Sequence, residues 1–158
     1  MEFRLVYKGR LKANGSATEK QAIRRSLDPQ LRRLWEQQPL DDYKGCLPGG
    51  KSEHESPFIF KTGPITCIPV VASKAHLVAE IAITILRPEA PGSIVTQCGD
   101  IDNRLKTLLD ALRMPQNVGE LGKGTSEREE GDLYCLLEDD NLITHLSVTT
   151  DRRAGPEK

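Results

Sequence analysis

Residues 99–112 read GDIDNRLKTLLDAL, which sets Asp100 and Asp102 one residue apart at the mouth of a helical pattern. A second acidic pair, Asp139 and Asp140, stands in LEDDNLITHLSV. Carboxylates brought together repel one another unless a cation joins them. All-oxygen donors select hard ions, so the expected cofactor is Mg2+, with Mn2+ as the other candidate. Such a centre activates water and stabilises the charge that grows on a phosphodiester as it is cut. The ammonium of Lys106, four residues after Asp102, would add to that stabilisation or position the phosphate.

The elements around these acids follow from periodicity. Leu105, Leu108, Leu109 and Leu112 keep the i, i+3, i+4, i+7 rule, so a helix over this stretch is expected to pack its leucines on a sheet. Asp102, Lys106 and Asp110 then fall in a row along one flank of the stripe. Asp102 or Asn103 is the expected N-cap, where an acid is favoured by the helix dipole. A capping Asp102 with Lys106 as its i+4 partner would be a purely structural account. It explains Asp102 and leaves Asp100 without a reason to be acidic.

For Asp140 to join the first pair, its strand must lie in the right place. Leu142, Thr144, Leu146 and Val148 alternate as a half-buried strand. If it pairs beside the long β-rich run LVAEIAITILRP, its start is expected to lie close to Asp100 and Asp102. In that run Leu77, Ala79, Ile81, Ile83 and Ile85 share a core face, opposite Val78, Glu80, Ala82, Thr84 and Leu86. FIFK and ITCIPVV are further strand candidates. Earlier, FRLVYKG predicts a first strand from Glu2 to about Lys8. Ser16 and Glu19 form an S-x-x-E capping box opening a helix to about Ser26, and Asp28-Pro29 signals the start of another.

Composition bounds the setting. With 37% hydrophobic and 28% charged content, 158 residues build one ordinary core, and we expect a single domain over 1–150 with a flexible tail at 151–158. Mobile loops are expected near 39–57 and 113–132. The sequence carries neither a bilayer-length apolar run nor the apolar stretch of a secretory signal, so the expectation is no membrane and a cytoplasmic location. Cys46, Cys67, Cys98 and Cys135 are widely spaced and read as reduced, partly buried hydrophobes. GELGKGT lacks phosphate-loop spacing. His54, His76 and His145 read as exposed or interface residues, not bases, and Trp35 and Tyr134 as packing.

The net charge is −1, but it is unevenly spread: 9 basic against 4 acidic residues in 1–40, and 8 against 13 in 100–158. A basic front and an acidic back suit a phosphate-gripping surface beside a carboxylate cluster. Arg24, Arg25, Arg32, Arg33 and Arg104 are the candidates for phosphate contact, with a solvated helix face as the plain alternative.

The string D-x-D-N-x-x-K-x-x-x-D-A-L, present as DIDNRLKTLLDAL and followed by an acidic pair before a strand, resembles the RusA-type Holliday junction resolvases. The resemblance implies an α+β fold, a small mixed or antiparallel sheet with helices packed on one face. It also implies a homodimeric, magnesium-dependent endonuclease cutting branched DNA. Metal-binding roles are implied for Asp100, Asp102 and Asp140, and a catalytic or phosphate-contacting role for Lys106. The other reading is a module that keeps the fold without cleavage and binds nucleic acid or protein, its acids serving as caps and solvated charges.

Overall fold

The computed structural model describes residues 1–87, 101–123 and 131–152. It is a small α+β fold. Helix α1 (Ala17–Leu34) is followed by strands β1 (Phe60–Thr62), β2 (Ile65–Val71) and β3 (Ala79–Arg87), helix α2 (Ile101–Leu112), and strands β4 (Gly131–Leu137) and β5 (Ile143–Arg152). The strands form a mixed sheet ordered β1-β2-β4 and a parallel pair β3-β5. Among the described residues no helix is long and apolar enough to cross a membrane.

β2 is buried throughout, pairing antiparallel with β1 and parallel with β4. Proline is normally confined to strand edges because it donates no ladder bond. Pro69 obeys this, since β1 pairs only with residues 65–67 and, among the described residues, leaves β2 flanked on one side at Pro69. Side chains then alternate between two cores. Ile68, Val70, Tyr134 and Leu136 meet Ile23, Leu27, Leu31 and Leu34 of α1 and Ala111 and Leu112 of α2. Ile65, Cys67, Leu133 and Cys135 meet Met114 and Leu121 on the other face. Both α-helices thus lie on one face of the three-stranded sheet.

α1 opens on the expected capping box: Ser16 Oγ accepts from the Glu19 amide at 3.2 Å, and Glu19 accepts from the Ser16 amide at 2.9 Å. It does not end near Ser26. Pro29 lies inside one continuous helix, because burying Leu27, Leu31 and Leu34 outweighs a cost of about 3 kcal/mol for an internal proline. Asp28 is therefore no cap. Its carboxylate accepts from the Tyr134 amide at 2.8 Å and ties α1 to β4.

Other expectations are corrected. Residues 2–8 alternate as predicted, with Phe3, Leu5 and Tyr7 against the core, but they join no ladder among the described residues; the Val6 amide and carbonyl bond instead to the Gln30 side chain. Residues 39–57 include a 3-10 helix, Leu40–Cys46, with Leu40 buried. Nor are residues 113–123 a bare loop, since Met114 and Leu121 fill the second core. Gly122, at φ +81°, lets this segment approach the start of α1; a Cβ there would stand 2.7 Å from Thr18 Cα. Residues 124–130 and 153–158 lie outside the described residues.

β3 alternates as expected, but its inward face is only half-buried, and Ala79 and Ile81 are the members that pack on the main core. β5 does pair with it, as anticipated. The pairing is parallel with Ala79 beside Ile143, so β5 starts where β3 starts, not where β3 ends. Eight residues of strand, roughly 26 Å, separate that point from Arg87.

Candidate functional site

α2 carries the acid and lysine row, and its packing decides which members are free. It lies chiefly on α1 rather than on the sheet, with Thr107, Ala111 and Leu112 buried and Leu105, Leu108 and Leu109 half-buried. Thr107 locks the contact: Oγ1 donates to the Asn103 carbonyl at 2.9 Å and accepts from the Gly15 amide at 3.0 Å. The helix begins at Ile101, so Asp102 sits inside its first turn instead of capping it. An acid there still faces the positive end of the dipole. Asp100 lies outside the described residues.

Asp102 and Lys106 are exposed, one turn apart, and neither spends its charge on an ion pair among the described residues. Asp110, two turns beyond Asp102, is committed. Its carboxylate takes Lys20 Nζ at 2.7 Å and Arg113 Nη2 at 3.6 Å.

Asp140 comes to this same helix, at the far end from Asp102. The Met114 amide donates to the Leu137 carbonyl at 2.8 Å, bridging the end of α2 to the end of β4 just before the acidic pair. Asp139 caps the following 3-10 turn by accepting from the Asn141 amide at 3.0 Å. Burial and the neighbouring Asp139 carboxyl push the Asp140 pKa up, Arg113 opposes them, and Asp110 adds a second like charge. The structure therefore brings Asp140 toward Asp110 and Arg113. The expected approach of Asp140 to Asp102 is displaced by two turns, about 12 Å along the helix, because β5 starts beside Ala79. Among the described residues no three acidic, histidine or cysteine side chains converge as a metal cage. The like charges near Asp140 are answered in part by Arg113, and Asp110 is itself paired with Lys20 and Arg113.

The arginine candidates divide. Arg24 is buried, which corrects its assignment as a DNA contact. Its guanidinium donates to the carbonyls of Asp110 (2.6 Å), Arg113 (2.9 Å) and Glu120 (3.2 Å). The last carbonyls of a helix have no partners of their own, and a planar fork of donors satisfies several at once. Arg32 lies over the Tyr134 ring at 4.3 Å and pairs with Asp28 at 3.4 Å. Arg104 donates to the Leu11 carbonyl. Arg25 and Arg33 are exposed on α1. Lys20 and Arg113, which set the charge around Asp110, carry no local sequence signal of that role; only the crossing of α1 with α2 reveals it.

No family model, curated protein or solved structure matches this chain.

Proposed function

We propose that this chain is a divalent-metal-dependent endonuclease that cuts phosphodiester bonds in branched DNA, as the resolvases its DIDN string resembles do. The observation that carries the reading is the pair Asp102 and Lys106. Both charges are exposed, stacked on the first turns of α2 and unspent among the described residues. Exposed charge with no internal partner is available to a ligand.

In this reading Asp100 and Asp102 hold Mg2+ or Mn2+ at the mouth of α2, Asp140 stays two turns away beside Asp110 and outside that ligand set, and Lys106 neutralises a phosphate oxygen. The bound cation would supply activated water and charge neutralisation at phosphorus. Arg25 and Arg33, and the free side of Arg32, supply backbone contacts to DNA. A homodimer provides two sites for two symmetric cuts, in a protein working on DNA in the cytoplasm.

A second reading, a non-cleaving nucleic-acid or protein-binding module of the same fold, is favoured by Asp110, whose charge is already answered by Lys20 and Arg113. One experiment separates the two: magnesium-dependent cleavage of a synthetic four-way junction against linear duplex, with Asp102→Asn beside the parent. Metal-dependent junction cutting that disappears in the variant is the expected result. Junction binding without cutting, in a folded parent, would select the second reading.

A further inference from the structure

Two-stranded sheets are marginal in water, and parallel pairs normally sit inside larger sheets. The β3-β5 pair is both two-stranded and parallel. Sheet edges are usually protected by Lys, Pro or brevity. β5 is ten residues long, ITHLSVTTDR, without Lys or Pro, mostly exposed, charged only at Asp151 and Arg152, bulged only at its start where Thr144 has no register partner on β3, and with no strand on its outer side among the described residues.

We infer that the outer edge of β5 is completed by β5 of a second copy, antiparallel, about a two-fold axis through Val148. The inference takes the second copy from the proposed homodimer and nothing from its chemistry. A two-fold axis normal to the sheet keeps each side chain on its own face, so a residue meets one of the same parity. Centred on Val148, His145 of one copy stands opposite Asp151 of the other, and Ser147 opposite Thr149. The other face sets Leu146 against Thr150 and Val148 against itself.

The complementarity is specific to this edge. The β3 partner of His145 is Glu80, so the imidazole lies between a carboxylate of its own chain and one of the second copy. On β3 the same operation opposes Glu80 to Thr84 or Leu86, never to a base. The resulting sheet, β3-β5 joined to its image, carries one continuous aliphatic face from Ile81, Ile83, Ile85, Leu146 and Val148 of both copies. Its polar face places the paired His145 and Asp151 at both ends of the junction.

The test is sedimentation of the full chain with cysteine cross-linking. The parent is expected at twice its 17.5 kDa chain mass. Val148→Cys is expected to form a disulfide-linked dimer under mild oxidation, since directly opposed Cβ atoms lie about 5 Å apart. Thr150→Cys is expected to give no more than the parent, because its own image would lie about 14 Å away. His145→Glu, an exposed change, should weaken the dimer about tenfold by setting two like-charge pairs, and His145→Asp with Asp151→His together should restore it. A folded parent that stays monomeric at 100-fold dilution steps up to about millimolar, where even weak pairs associate, would overturn the inference. So would a dimer indifferent to His145, or one that cross-links equally through positions 148 and 150. Cleavage is not used as a readout, so loss of the nuclease reading leaves this result standing.

Discussion

The guanidinium of Arg24, on the first helix, donates to the main-chain carbonyl of Asp110 on the second at 2.6 Å. One buried cation thereby fixes the end of the helix that carries the acids, and the same carbonyl belongs to the residue whose carboxylate faces Lys20.

Arg24→Met should lower unfolding free energy by about 3 kcal/mol, because three carbonyls lose their donor together. Arg24→Lys should recover little, since an ammonium cannot span the Asp110, Arg113 and Glu120 carbonyls. Urea denaturation measures both. A DNA-contacting arginine would show the opposite pattern, with stability intact and Lys tolerated.

Asp102→Asn and Asp110→Asn should separate chemistry from packing. The first removes an exposed, unpaired charge and should change stability by less than about 0.5 kcal/mol while abolishing metal-dependent cleavage. The second removes the partner of Lys20 and Arg113 and should cost about 1–2 kcal/mol. Thermal melts and cleavage assays on the same preparations give the comparison.

The capping box gives a pH signature. The Lys12 ammonium, followed by the Ser16 amide, holds the Glu19 carboxyl below its ordinary value of 4.5. A depressed folded-state pKa means stability present above the unfolded value and lost as pH falls through the folded one. The difference in melting temperature between the parent and Glu19→Gln should therefore be constant near neutrality and close as pH drops below the carboxylate range. A difference that persists in strong acid would refute the assignment.

Leu121→Ala should cost about 2–4 kcal/mol, the range for a truncated core leucine. Gly122→Ala should also destabilise, by meeting Thr18 and by forcing a Cβ into positive φ. A mobile segment at 113–123 would tolerate both changes, as followed by chemical denaturation.

What the sequence disclosed and what it hid have physical reasons. Signals that act locally were read correctly in the Ser16 and Glu19 box, the apolar run of β2 and the alternation of β3, whereas the pairing of the two β-rich segments, posed only as a condition, is long-range, and its direction put the start of β5 elsewhere. Pro29 misled because helix interruption is a local cost, and three buried leucines on the same helix overrode it. Arg24 misled because its spacing is that of a surface residue, while its environment is made by carbonyls from residues 110, 113 and 120. The candidate site failed at the same level. Periodicity placed Asp102, Lys106 and Asp110 in one row, but which of them Asp140 approaches depends on the direction of β5, which alternation does not encode.

That direction has a kinetic consequence. Ile65 must find Gly131 and Ala79 must find Ile143 before either parallel ladder can begin, so each parallel ladder closes a loop of over sixty residues for its first bond, whereas the β1-β2 hairpin closes locally. Loop entropy is spent before the pairing rewards it, and such topologies fold on the order of milliseconds to seconds rather than microseconds. Until then the strands of β2 and β4, apolar on both faces, stand uncovered, which makes the unfinished chain more prone to self-association than the finished one.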